Sequence, residues 1–183
     1  TIETTRFAFL CRSISKRFCG EQMKIGVLSD THLPYAAPSL PKQVLELLAS
    51  MDAIIHAGDY QDAALIETLT SLAPFYGVAG NMDGDDVRAL VPEKRVVRLG
   101  GFSIGINHGW GSSHRLEDRV VAAFADAVPD VIVYGHSHNP SCTRRDTTLL
   151  FNPGSPTDTR YARFNSIGVL TMGEKAEGEI IRV

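Results

Sequence analysis

From Met23 onward the chain alternates short apolar runs with polar clusters. The run Met23-Lys24-Ile25-Gly26-Val27-Leu28 predicts a strand over 24–29. Leu40, Val44, Leu47, Leu48 and Met51 then repeat at helical spacing and predict a helix near 39–50, with Ser39 placed to cap it and Pro41 in its first turn. A second strand, Ala53-Ile54-Ile55-His56, leads into a helix with Leu65, Ile66, Leu69 and Leu72 on one face. A third strand runs over 75–79. This β-α-β-α-β opening implies a parallel sheet with right-handed crossovers.

The second half is richer in strands, predicted over 94–99, 102–107, 131–135, 141–145, 148–152, 166–172 and 178–183. Gly100-Gly101 reads as a hairpin turn between the first two. One helix, near 114–128, places Leu116, Val120, Val121 and Phe124 on a face. Two packed sheets with helices outside is the economical architecture. Residues 1–22 differ: they carry Arg6, Arg12, Lys16 and Arg17 without a clear period, and are read as an N-terminal extension preceding a single domain over 23–183. An edge strand, a helix or an expression remnant are the alternatives for that segment.

Bulk properties narrow the function without naming it. A 183-residue chain with 44% hydrophobic content suits one domain with a sizeable core. The net charge of −3 gives no strong nucleic-acid signal and no polybasic membrane-binding run. Cys11, Cys19 and Cys142 are sparse and odd in number, which suits free thiols in a reducing compartment. The Phe7–Leu10 stretch is too short for a signal core, and no run approaches the roughly 18 apolar residues of a span. The protein is therefore expected to be soluble and cytoplasmic, with a homo-oligomer left open.

The chemistry gathers where strands end. Five apolar runs lead into Ser29-Asp30-Thr31-His32, His56-Ala57-Gly58-Asp59, Gly80-Asn81-Met82-Asp83, Asn107-His108-Gly109 and Gly135-His136-Ser137-His138. Ligand crevices of α/β sheets lie at the carboxyl ends of strands, so the five can converge. They supply carboxylates, imidazoles and an amide oxygen, a mixture that suits manganese, iron, nickel or zinc better than calcium. Glycines 58, 80, 109 and 135 allow close backbone approach. Two divalent ions carry four positive charges; Asp30, Asp59 and a bridging hydroxide offset three. The small positive remainder suits a phosphodiester monoanion. Taken singly, each cluster has a structural reading as a turn; the force lies in their order and shared position. His56 reads as a hydrogen-bonded core or supporting residue, and His114 as a surface residue at a helix start.

In these blocks the chain resembles the calcineurin-like metallophosphoesterase superfamily, and Asn152-Pro153-Gly154-Ser155 resembles a block of its small bacterial and archaeal phosphodiesterase branch. The resemblance implies an αββα four-layer sandwich and metal-dependent phosphodiester hydrolysis by a two-metal-activated hydroxide. It implies that Asp30, His32 and His138 hold one metal, Asn81, His108 and His136 the other, and that Asp59 bridges them. The expected cofactors are two divalent ions, manganese first, with nickel, iron, zinc or magnesium as alternatives. Many superfamily members carry a histidine where this chain has Met82; Asp83 is the substitute proton donor to consider, its plain alternative being a helix cap. The branch often has His-Gly-His where this chain reads His108-Gly109-Trp110, so Trp110 either stacks on a substrate ring or packs under a loop. Arg160 either reaches phosphate oxygens or is solvated. The competing functions are a phosphomonoesterase and a non-catalytic scaffold, which the same fold provides in the eukaryotic retromer coat.

Overall fold

The computed structural model describes residues 22–183. All but the last residue of the expected extension, together with Cys11, Cys19 and the Phe7–Leu10 stretch, lies outside the described residues.

Each apolar run becomes a strand because its alternate residues have an apolar surface to meet on both sides. In β1 (Met23–Leu28), Ile25 and Val27 point to one cluster while Leu28 points to another. In β2 (Ala53–His56), Ile55 and Ile54 divide in the same way. The same alternation separates Val131 and Val133 from Ile132 in β6 (Val131–Val133), and Leu149 and Phe151 from Leu150 in β8 (Thr148–Asn152). The shared cluster lies between two five-stranded sheets. The first has order β10-β9-β1-β2-β3 and the second β4-β5-β6-β8-β7. The remaining strands are β3 (Phe75–Gly77), β4 (Lys94–Leu99), β5 (Phe102–Asn107), β7 (Ser141–Arg145), β9 (Ser166–Met172) and β10 (Ala176–Arg182).

Helices cover the outer faces. Val44 and Leu48 of α1 (Lys42–Ala49) and Leu65, Ile66 and Leu69 of α2 (Ala64–Leu72) pack against Leu28 and Ile54 of the first sheet. Leu116 and Val120 of α4 (Leu116–Ala122), with Phe124 just beyond it, pack against Ile132 and Leu150 of the second. A one-turn helix, α3 (Asp85–Arg88), follows β3. The result is the expected αββα sandwich with two mixed sheets.

The differences from expectation are local. Helix α1 begins after Pro41, and no side chain caps it, so Ser39 does not serve as its cap. Helix α3 starts after Gly84, again with no side-chain cap, so Asp83 does not cap it either. Helix α4 is shorter than the period suggested, because beyond Ala122 the chain continues in turns. Gly100 and Gly101 form the two-residue hairpin between β4 and β5, both at positive φ (57° and 88°), where a side chain would be strained.

Topology now fixes the site. β1, β2 and β3 run parallel in one sheet, and β5, β6 and β8 run parallel in the other. The loops leaving their carboxyl ends therefore carry all the polar clusters. No helix among the described residues is long and apolar enough to cross a membrane.

Candidate metal centre

The loops after β1 and β2 continue the strand ladder beyond the sheet: Asp30 N–H donates to Gly58 O (2.9 Å) and His32 N–H to Asp59 O (3.0 Å). Gly135 N–H donates to His108 O at 3.1 Å, which aligns the β5 and β6 loops. The two pairs of loops are then joined across the sandwich. The His136 N–H approaches both carboxylate oxygens of Asp30, at 3.1 and 3.0 Å. Close approach is possible because Gly135 lacks a side chain: a Cβ there would fall 2.7 Å from Asp30 Oδ2. The Asn152–Ser155 block clamps the join. Ser155 Oγ donates to Asp30 O (2.7 Å), Ser29 Oγ to Gly154 O (2.9 Å) and Asn152 Nδ2 to Gly135 O (2.9 Å).

Five of the seven sequence-predicted ligands come together, and the other two, His136 and Asn81, pair beside them. Asp30, His32, Asp59, His108 and His138 are all buried. Asp30 Oδ1 lies 3.4 Å from His138 Nε2, 3.9 Å from His108 Nε2 and 4.0 Å from His32 Nε2. Asp59 Oδ2 lies 3.2 Å from His108 Nε2 and 3.8 Å from His32 Nε2. The ligand atoms form two groups that could hold a cation, Asp30-His32-His138 and Asp30-Asp59-His108. Asp30 is common to both, and Asp59 Oδ2 also stands between a histidine of each. Farther out, His136 Nδ1 meets Asn81 Oδ1 at 2.9 Å, and the His136 ring stands edge-on to His108, centroids 5.3 Å apart.

The donor set fits a cation by its own hydrogen bonding. His108 Nδ1 donates to Ala57 O at 2.8 Å, so in the neutral ring the Nε2 lone pair faces the Asp59 carboxylate. That buried Nε2 has no hydrogen-bond partner. His136 Nε2 donates to Gly111 O (2.6 Å), so its Nδ1 lone pair faces the Asn81 oxygen. The Nε2 atoms of His32 and His138 face each other at 3.2 Å. Gln61 Nε2 lies 2.8 Å from His32 Nδ1 while Gln61 Oε1 is buried and unpartnered. Exchanging the amide's O and N lets Oε1 accept the Nδ1 proton, which again leaves Nε2 as a lone pair. Lone pairs that converge in this way require positive charge between them. The His108 pKa registers the same demand. Burial pushes it down, but the Asp59 and Asp30 carboxylates outweigh burial and bring it up to about 9. Burial likewise pushes the Asp59 carboxyl up, and is outweighed by His108 and the Met82 N–H. At His32 burial prevails and lowers the pKa.

Backbone conformation marks the same residues. Of the nine non-glycine residues with positive φ among the described residues, six are Asp30, His32, Asp59, Gln61, His136 and His138, with φ of 46–73°. Non-glycine residues in this left-handed region carry strain of order 1–3 kcal/mol and persist where surrounding contacts hold them.

His56 is one such support. Its Nδ1 accepts from Gly58 N–H (3.1 Å), so its Nε2–H donates to Thr31 Oγ1 (3.1 Å), and its ring stacks on Tyr60 at 3.8 Å. Burial holds its pKa well below the usual value. His114 is exposed, as expected.

Asp83, the candidate proton donor, is placed beneath the β2 loop. Its carboxylate accepts four backbone N–H bonds: from Asp59 (2.9 Å) and Gly80 (2.7 Å) on Oδ2, and from Tyr60 (2.7 Å) and Gln61 (2.8 Å) on Oδ1. Both oxygens are committed to amides that lock the β2 loop to the β3 loop. Arg88 adds to the lock through Gly80 O (2.6 Å) and Asp83 O (3.0 Å). Arg160 is turned to Asp158, with contacts of 2.5–3.0 Å from Nε and Nη2. Burial works against Asp158 ionising, but the Arg160 bonds prevail and lower its pKa to about 2. Trp110 is 47% exposed on the loop after β5. Sequence reasoning missed two supporting residues: Gln61 against His32, and Asp158, whose Oδ2 lies 3.7 Å from the otherwise unpartnered His138 Nδ1. Neither has a signal of its own, since each lies in a polar loop just past a motif.

Known proteins of similar sequence and fold give the family. A probable metallophosphoesterase of Methanocaldococcus jannaschii is 36% identical over 167 residues, covering 90% of this chain and 83% of that protein. A phosphodiesterase of the same organism is 26% identical over 175 residues, covering 87% and 99%. Among solved structures, a Thermotoga maritima protein is 34% identical with a TM-score of 0.70, covering 88% of this chain and 99% of that one. Vacuolar protein sorting 29 of Cryptosporidium parvum is 22% identical with a TM-score of 0.71, covering 88% and 98%, a likeness of fold alone. Residues 23–175 match the calcineurin-like phosphoesterase superfamily domain, and the chain belongs to that superfamily.

Proposed function

We propose that this protein is a metal-dependent phosphodiesterase. The observation that carries the reading is the convergence of carboxylate oxygens and imidazole nitrogens from four loops on one buried cluster, with the Asn81–His136 pair at its edge. In this reading Asp30, His32 and His138 hold one divalent ion, Asn81, His108 and His136 the other, and Asp59 serves both. Bound metal ions supply Lewis acidity and lower the pKa of water, so hydroxide becomes available near neutral pH. Manganese is the first candidate, because the mixed nitrogen and oxygen donors are borderline.

The chain's own residues shape the rest. Ala57 O fixes the His108 tautomer, and Asp83 holds the Asp59 and Asn81 loops in register. Because Asp158 engages Arg160, that guanidinium is largely neutralised, which favours a monoanionic diester over a dianionic monoester. Because Asp83 is engaged by amides, it offers no proton to a departing alkoxide. Substrates whose leaving group departs as a stable anion should therefore react fastest.

The test is a panel of activated aryl diesters, alkyl diesters and matched monoesters. It is run after chelation and after reloading with manganese, nickel, zinc or magnesium. Metal-dependent turnover of aryl diesters well above alkyl diesters and monoesters is expected. Equal rates for aryl and alkyl esters would overturn the account of the proton donor. No hydrolysis with any metal would overturn the enzymatic reading and leave a scaffold.

A further inference from the structure

Seven large apolar side chains are strongly exposed among the described residues, and four of them stand on the loops that form the candidate centre. Tyr35 (82% exposed) follows His32, Met82 (56%) follows Asn81, Trp110 (47%) follows His108, and Tyr161 (67%) lies on the loop between β8 and β9. Exposed apolar residues scattered singly need no explanation. Concentration around a polar, buried centre does.

Tyr161 and Trp110 adjoin the histidine loop after β6. The Tyr161 ring stands edge-on to His138, centroids 5.3 Å apart at 82°, and the Arg160 guanidinium lies 5.9 Å from the ring centre. Arg160 is itself held by the buried Asp158, so the Tyr161 ring is flanked by two fixed groups and open to solvent elsewhere. Trp110 is pinned through its backbone. Its carbonyl accepts from Arg119 Nε (2.8 Å), and the adjacent Gly111 carbonyl accepts from His136 Nε2 (2.6 Å). His136 and His138 belong to one loop, so the Tyr161 ring and the Trp110–Gly111 backbone adjoin neighbouring imidazoles of the same centre.

We infer that Tyr161, with Trp110, forms a subsite for a planar aromatic group, a phenyl ring or nucleobase, on the substituent that stays on phosphorus. This rests on the phosphodiesterase reading and deepens it: the leaving group is set by the missing proton donor, the retained group by these rings. Neither ring carries a formal charge, so the subsite selects by stacking and apolar contact.

The experiment holds the leaving group constant. p-Nitrophenyl phenyl phosphate and p-nitrophenyl methyl phosphate are compared on manganese-loaded protein, and diphenyl phosphate and dimethyl phosphate are compared by calorimetric binding. Stacking of one ring predicts a preference for the aryl member on the order of tenfold, expressed in KM and in affinity. Tyr161→Ala should abolish most of it and Tyr161→Phe should keep it. Equal KM values for the two esters in the wild-type protein, or the same preference in Tyr161→Ala, would overturn the subsite while leaving the phosphodiesterase reading intact. Hydrolysis of neither ester, with Tyr161-dependent tight binding of diphenyl phosphate, would overturn that reading and uphold the subsite. If Tyr161→Ala instead changes only the sedimentation of the protein, the rim is a self-association face and the inference fails.

Discussion

Asp83→Ala removes an acceptor that serves four backbone amides at 2.7–2.9 Å. The carboxylate is 6% exposed. A buried donor left without a partner costs about 1–3 kcal/mol, so four would cost roughly 4–12 kcal/mol if none were rescued. Water entering the space left by the carboxylate relieves some, and the expected loss is on the order of 4–6 kcal/mol. That is a large share of the 5–15 kcal/mol that typically holds a domain together. Asp83→Asn should cost about half as much, because one oxygen still accepts two amides while the new NH2 group faces the other two. Urea unfolding of both variants in metal-free buffer measures the ranking. Hydrogen exchange should quicken at the amides of Asp59, Tyr60, Gln61 and Gly80 and change little on the far side of the sandwich. Two variants within about 0.5 kcal/mol of wild type, with exchange unaltered and only kcat lowered, would refute the brace and restore Asp83 as a proton donor.

Two further substitutions probe the centre directly. Asp59→Asn removes one negative charge between His32 and His108, and should lower occupancy below two manganese ions per chain by metal analysis after dialysis; full occupancy with wild-type activity would rule out a shared role. Gln61→Leu deprives His32 Nδ1 of its partner and should weaken metal affinity roughly 10–100-fold, as loss of an outer hydrogen bond to a ligand does; unchanged affinity by calorimetry would show that the ring orients without it.

Much of this architecture was readable before any coordinates. β2 ends at His56 as its apolar run does, and the hairpin Gly100-Gly101 joins β4 to β5 in a two-residue loop. Such elements are legible because burial on two faces leaves a period in the sequence. The five polar clusters were legible because metal-binding residue types interrupt those periods at one end of each strand. Helix boundaries were not. Ser39 and Asp83 have the chemistry of caps, yet α1 begins after Pro41 and α3 after Gly84. A cap is only a local option, and Asp83 finds three of its four donors in a loop that the sequence places 22–24 residues away.

The same distinction separates the ligands from what holds them. A ligand is announced by residue type and position, but its orientation depends on partners with no type of their own: the Ala57 carbonyl at His108, the Gly111 carbonyl at His136, and Gln61 at His32. Orientation matters because five of the seven candidate ligands sit in left-handed backbone, a conformation uncommon outside glycine that carries strain. The restraints that hold them are the Asp83 amide lock, the His56–Thr31 contact and the Asn152–Ser155 clamp. None of these touches the point where the lone pairs meet. It follows that a substitution at Ser155 or His56 can impair the centre as surely as one at a ligand, by letting Asp30 or Asp59 relax toward an unstrained backbone.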